Sequence, residues 1–99
     1  MLTSKQRAYL RSLVAVQESV FHIGKGGITG ETITQLRLAL EARELIKVRV
    51  LEAAPLSSRE AADALVEALS AEPVQVIGRC VSLYKPCSKP EKRKITLPR

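Results

Sequence analysis

The sequence predicts a single α/β domain in which three helices pack against a four-stranded mixed sheet. Three observations lead to this prediction: two helix-capping patterns, a strand with regular alternation of apolar and basic residues, and a glycine turn between two apolar strands. The 99 residues suffice for one domain, and a content of 45% apolar and 26% charged residues is ordinary for a folded chain. The expected element order is α-β-α-β-α-β-β.

The first half of the chain predicts two helices and two strands. Thr3 and Gln6 have capping-box spacing, so the first helix begins there. The apolar run 20–23 is expected to be a buried strand that leads into a glycine loop. Thr29 is expected to cap the second helix, which ends near Arg43. In the strand 45–51 that follows, one face is apolar and the other is basic: Ile46, Val48 and Val50 against Lys47 and Arg49.

The second half begins with a third helix and ends in a tail. Ser57 and Glu60 form a second capping box, and the outer side of the helix that follows is acidic. Pro73 should end helical structure. Residues 86–99 contain three prolines and a cluster of charges, which predicts an irregular basic tail. We therefore divide the chain into a folded domain, 1–86, and a tail, 87–99.

A β-hairpin is expected between Pro73 and the tail. Strands over 74–77 and 80–85 would be joined by Gly78-Arg79 in a type II′ turn. This turn pairs Val76 with Val81 and Val74 with Leu83 on one apolar face. The opposite face is expected to meet solvent, and it carries Gln75, Ser82 and Tyr84.

Few residues are available for catalysis or metal binding. Cys80 and Cys87 lack the paired spacing of zinc ligands, so we expect two reduced thiols. The only histidine, His22, is expected to fill space in its strand or to bond a backbone group. No apolar run could span a membrane and no secretory leader is evident. We expect a cytoplasmic monomer with no catalytic residues, no metal and no cofactor.

The net charge of +6 is unevenly distributed. Residues 1–30 contain four basic residues and one acidic residue, residues 31–78 contain five and eight, and residues 79–99 contain seven and one. If the two basic ends lie on one side of the fold, that side would attract a polyanion.

The loop Gly24-Lys25-Gly26-Gly27 is the most informative motif. Glycines let a ligand approach the backbone N–H groups, the following helix adds the positive end of its dipole, and Lys25 adds a charge. The GxxG spacing is that of the loop that clamps a nucleic-acid backbone in KH domains, although a plain tight turn would give the same pattern. Five other basic residues are expected to extend this RNA-binding surface: Arg7, Arg11, Lys47, Arg49 and Arg79.

A dinucleotide site is the alternative interpretation of the same loop. Gly24, Gly26 and Gly30 approximate a dinucleotide fingerprint, and Glu52 follows the next strand, where an acid could bind a ribose. The strict spacing fails because Thr29 occupies the position of the last glycine.

Six segments occur in an order that is typical of one family: LTSKQRAYLRSL at 2–13, IGKGGIT at 23–29, ELIKVRV at 44–50, VQVIGR at 74–79, LYKP at 83–86 and KRKITLPR at 92–99. In these segments the chain resembles the CRM domain, the chloroplast RNA splicing and ribosome maturation module, in its single-domain bacterial YhbY-like form. Ser19 departs from the pattern, since relatives often have proline there.

This resemblance implies a fold similar to the C-terminal domain of bacterial translation initiation factor three. It also implies RNA binding without catalysis, with residues 24–27 as the family's GxxG loop. Bacterial relatives associate with precursors of the large ribosomal subunit, and plant relatives act in group II intron splicing. We therefore expect a protein that binds structured ribosomal RNA during large-subunit assembly. A small dinucleotide-binding protein and a basic protein that binds RNA without specificity are the alternatives.

Overall fold

The computed structural model describes residues 2–17, 21–89, 91, 95, 97 and 98. It contains three helices and four strands in the predicted order, so the predicted fold class is confirmed. The elements are α1 (Ser4–Val14), β1 (Phe21–Ile23), α2 (Gly30–Arg43), β2 (Leu45–Val50), α3 (Ser58–Leu69), β3 (Glu72–Ile77) and β4 (Cys80–Tyr84). None of the helices in this part of the chain combines the length and apolarity needed to cross a bilayer.

The strands form one mixed sheet in the order β1-β2-β4-β3. β1 and β2 are parallel, as expected for strands joined through a helix, and β4 is antiparallel to both of its neighbours. β1, β2 and β3 therefore run in the same direction and end at the same end of the sheet. Three connections meet there, residues 24–27, 51–57 and 78–79, and we call this the loop end.

Helices cover both faces of the sheet. The larger core lies under α2 and α3 and includes Ile46 and Val48 of β2. The smaller core lies under α1, where Leu10 and Val14 pack against Leu45 of the sheet. Because neighbouring residues of a strand point to opposite faces, Leu45 and Ile46 belong to different cores.

The predicted N-caps of all three helices are confirmed. The hydroxyl groups of Thr3, Thr29 and Ser57 each accept a main-chain N–H three residues later, and capping boxes close around Thr3 and Ser57. The predicted end of α2 near Arg43 is confirmed, and the residues that follow α2 and α3 have a positive φ without being glycine. Glu44 follows α2 with a φ of 66°, and Ser70 follows α3 with a φ of 54°, a region that glycine or asparagine usually occupies.

The predicted hairpin is correct at its turn and wrong at its far end. Gly78 has a positive φ of 56°, and Val76 pairs with Val81 as expected. Beyond Gln75 the register shifts, so that Pro73 rather than Val74 lies opposite Leu83. This bulge directs Val74 into the smaller core. Pro73 lies within β3, contrary to expectation, because β3 is an edge strand and needs no outward N–H at that position.

The solvent face predicted for the hairpin is also wrong at two positions. Ser82 and Tyr84 are only 1% and 4% exposed, and Tyr84 packs in the smaller core with α1 and the C-terminal segment. Gln75 is half-buried.

The described part of the tail packs against the domain. The carboxylate of Glu44 is fully buried and accepts the main-chain N–H groups of Cys87, at 3.0 Å, and Ile95, at 2.9 Å. Ile95 and Leu97 pack against the smaller core, and the carbonyl of Pro98 accepts a hydrogen bond from Gln6. One turn before Glu44, the exposed Glu41 accepts hydrogen bonds from residues 87 and 88.

Candidate nucleic-acid interface

The glycine loop forms a tight turn directly after β1. The N–H of Gly27 donates to the carbonyl of Gly24 over 2.9 Å, so Lys25 and Gly26 form the tip. Gly27 has a φ of 70°, and a Cβ there would lie 3.1 Å from Cγ of Pro55. Glycine is therefore favoured at position 27 both by the backbone conformation and by the crowding that a side chain would meet from residues 51–57.

The tip of this loop is open. Lys25 and Gly26 are exposed, and a Cβ at Gly26 would meet no atom within 4 Å. In the described part of the chain, no acceptor takes the main-chain N–H groups of these two residues. Two adjacent N–H groups beside an exposed ammonium group are suited to an oxyanion such as a phosphate.

Main-chain hydrogen bonds place two predicted basic residues at the loop end of the sheet. The N–H of Leu51 donates to Ile23, which joins the ends of β1 and β2, and the N–H of Val50 donates to the carbonyl of Arg79, which joins the hairpin turn to β2. Arg49 and Arg79 are exposed at this end of the sheet. A shallow groove beside the turn is also lined by Arg59 at the start of α3, a cation that the sequence analysis did not select.

The other three predicted cations lie away from the loop tip. Nε of Arg7 donates to the carbonyl of Pro73 at the opposite end of the sheet, and Arg11 is exposed one turn further along α1. The half-buried Lys47 donates to the carbonyl of Gln17 over 3.1 Å and so holds the end of α1 against β2. Arg7 and Lys47 therefore each have a structural role.

The geometry of the glycines does not match a dinucleotide fingerprint. The third glycine of such a motif permits close packing of helix against strand, yet a Cβ at Gly30 would meet nothing within 4 Å. A Cβ at Gly24 would make only an ordinary contact with Leu51, at 3.6 Å. Glu52 is exposed in the turn that closes between Leu51 and Ala54.

Charge is segregated between the two faces of the sheet. The outer side of α3 carries the exposed acidic residues Glu60, Asp63 and Glu67, as predicted. Glu60 also accepts the N–H of Ser57, and this hydrogen bond lowers the pKa of its carboxyl group. On the opposite face, α1 contains three basic residues and no acidic residue. The face of the sheet that carries α1 is therefore the basic one.

His22 was assigned the wrong environment by the sequence analysis. It is exposed, and it makes no hydrogen bond within the described residues. Its register partner in β2 is Arg49, so the two side chains lie side by side on the basic face. A strand of only three residues at the edge of the sheet leaves this position uncovered.

Comparison with known proteins gives the family. The protein-family model of the CRS1 / YhbY (CRM) domain matches residues 2–85, from the segment before α1 to the end of β4. The chain belongs to the CRM domain family. The resemblance seen in the sequence is thereby confirmed.

Relatives of this CRM chain are named for RNA binding. It is 43% identical to the Probable RNA-binding protein YqeI of Bacillus subtilis over 99% of this chain and all of that protein. It is 35% identical to an RNA-binding protein of Haemophilus influenzae, covering 99% of this chain and 96% of the relative. The solution structure of the hypothetical protein SAV1595 from Staphylococcus aureus, a candidate RNA-binding protein, superposes with a TM-score of 0.76 at 43% identity, covering 97% of this chain and all of that one.

Proposed function

We propose that this CRM domain binds structured RNA, with residues 24–27 as the principal contact and Arg49 and Arg79 as flanking cations. The observation that carries the proposal is the exposed loop tip, where the main-chain N–H groups of Lys25 and Gly26 have no acceptor among the described residues. Binding through main-chain groups and cations reads the phosphate backbone and its shape, and it requires no catalytic group. The names of the relatives support the same class of ligand.

Gly27 contributes by fixing the shape of the loop before RNA arrives. Its positive φ and its hydrogen bond to Gly24 close the turn, and a loop that is already closed loses less conformational entropy on binding. Each phosphate contact made by a cation displaces condensed counterions, and affinity should therefore fall steeply with salt. Replacing Lys25 with alanine should lower the slope of log K against log salt by about 1.

A pair of single substitutions tests the role of the loop. Gly26→Glu places a carboxylate at the loop tip, where the open space accepts a side chain. Ala64→Glu adds the same charge at an exposed position on the acidic side of α3. Fluorescence anisotropy with a labelled ribosomal RNA hairpin should show at least a tenfold loss for Gly26→Glu and less than a twofold loss for Ala64→Glu. Equal effects, with unchanged circular dichroism, would remove the loop from the interface.

We further propose that the natural ligand is ribosomal RNA in a precursor of the large subunit. Sedimentation of the tagged protein through a sucrose gradient of cell lysate, followed by sequencing of the bound RNA, tests this assignment. Comigration with large-subunit precursors and enrichment of one ribosomal RNA region is the expected result. Migration as free protein at both low and moderate salt would refute it.

A further inference from the structure

Next to the glycine loop, the basic face of the sheet has an uncovered row of side chains. Cross-strand pairing places four residues in one line across all four strands: His22 opposite Arg49, Arg49 opposite Cys80, and Cys80 opposite Ile77. Paired residues on neighbouring strands direct their side chains to the same face. We call this row, His22, Arg49, Cys80 and Ile77, the open strip.

The open strip is accessible because α1 lies over the other half of the same face. In the next row towards α1, Lys47 and Gln75 are half-buried and Ser82 is 1% exposed. In the strip itself, His22 and Arg49 are exposed, Cys80 is half-buried and Ile77 is 64% exposed. Ile77 is one of only a few large apolar side chains among the described residues that have this much exposure.

The chemistry of the strip fits unpaired nucleobases. Unstacked RNA bases pack on the planes of histidine and arginine side chains, and His22 and Arg49 place two such planes side by side. Cys80 and Ile77 continue the row with apolar surface. None of the four residues of the strip is a carboxylate, and the positively charged Lys47 lies in the neighbouring row of the same face.

The dimensions of the strip agree with this ligand. Three interstrand spacings of about 4.8 Å give a row roughly 14 Å long. In other RNA-binding modules, a four-stranded sheet holds two or three bases on its face. His22 lies two positions before Gly24 in the chain. An RNA strand whose phosphates contact the loop tip therefore passes the His22 end of the open strip.

We propose that the open strip binds two or three unpaired nucleotides of the RNA whose backbone is held by the glycine loop. This inference rests on the proposed function and names its substrate class: RNA in which an unpaired segment adjoins a paired stem. The aromatic content of only 3% would argue against base stacking, but the planar groups used here are an imidazole and a guanidinium.

Two RNA probes and two variants test the open strip. Both probes contain the same fluorescently labelled RNA stem. In one probe the stem is fully paired, and in the other it is interrupted by a bulge of three nucleotides. The wild-type protein should bind the bulged stem about tenfold more tightly, the effect of one well-stacked base. Arg49→Lys keeps the charge and removes the plane, and His22→Ala removes the imidazole. Each should reduce the preference for the bulge at least threefold, and His22→Ala, which lies outside the proposed phosphate contact, should change binding to the paired stem less than twofold.

Control variants separate this inference from the proposed function. Arg59→Lys makes the same change in chemistry outside the strip and should leave the preference for the bulge intact. Gly26→Glu should weaken binding to both probes. The inference about the open strip would be overturned if the wild type bound both probes with equal affinity, or if the preference for the bulge survived Arg49→Lys and His22→Ala. Either result would leave the proposal for the glycine loop in place. Binding to neither probe would overturn both proposals.

Discussion

Replacing Glu44 with alanine should destabilise the whole domain, although Glu44 lies far from the proposed interface. Its side chain is fully buried at the end of α2, and its carboxylate accepts the N–H groups of Cys87 and Ile95. These hydrogen bonds attach the C-terminal segment to the fold. Alanine would keep the positive φ of this position and leave both N–H groups without their acceptor.

The magnitude follows from these contacts. A hydrogen bond to a charged group contributes about 1.5–3 kcal/mol, so two would give about 3–6 kcal/mol if the segment stayed in place. Release of the segment lets water solvate the N–H groups, but it exposes Ile95 and Leu97, which are half-buried in the smaller core. Because release limits the loss, we expect Glu44→Ala to lower the free energy of unfolding by about 2–4 kcal/mol, a large part of the roughly 5–15 kcal/mol typical of a domain.

Urea denaturation measures this loss, with circular dichroism and the fluorescence of the buried Tyr84 as signals. Glu44→Gln, which keeps one acceptor oxygen, should lose about half as much. In a chain that ends at Pro86, which lacks both donors, Glu44→Ala should cost less than about 1 kcal/mol. A loss below about 1 kcal/mol in the full chain, or an equal loss in both backgrounds, would refute this account of Glu44.

Three further predictions concern other positions. Gly27→Ala should lower the free energy of unfolding by about 1–2 kcal/mol because residue 27 has a positive φ. Gly26→Ala should change the free energy of unfolding by less than about 0.5 kcal/mol. Similar urea midpoints for the two variants would contradict this difference. Hydrogen bonds from Ser88 lower the pKa of Glu41, so its stabilising effect is present at neutral pH and disappears as the pH falls through that lowered pKa. Glu41→Gln should therefore destabilise the protein at pH 7 and converge with wild type once the pH has fallen below the lowered pKa, and a difference that persists in strong acid would exclude this linkage. Ser57→Ala should cost about 1 kcal/mol through loss of the helix cap, which a shift in thermal midpoint would reveal.

The features that the sequence predicted well are local ones. The caps at Thr3, Thr29 and Ser57 depend on residues three positions apart, and the turn at Gly78 depends on a single backbone conformation. The alternation of apolar and basic residues in β2 indicated directly which of its side chains lie in the larger core. Such signals lie within a few residues of each other and do not depend on what the rest of the chain does.

The errors arose where distant segments meet. Pro73 could enter β3 because that strand is at the edge, and strand order is not visible in the local sequence. The burial of Tyr84 depends on α1, far away along the chain. The burial of Glu44 was not predicted either, because it accompanies hydrogen bonds from residues 87 and 95, which are far away along the chain.

The candidate site likewise combines features that were visible in the local sequence with features that only the fold reveals. The glycine loop was visible as a motif, and Arg49 and Arg79 lie at the same end of the sheet. Arg7 and Lys47 looked identical to them in sequence, yet each donates to a main-chain carbonyl elsewhere in the fold. His22 became a candidate only when cross-strand pairing placed it beside Arg49 on an uncovered face.

The closeness of Pro55 to Gly27 has a consequence for redesign of this domain. A side chain at position 27 would be crowded, whereas Lys25 is exposed and a Cβ at Gly26 would meet no atom within 4 Å. A library that varies only these two positions would therefore change ligand preference with little change in folding stability. The domain could then serve as a scaffold on which selection acts on affinity alone.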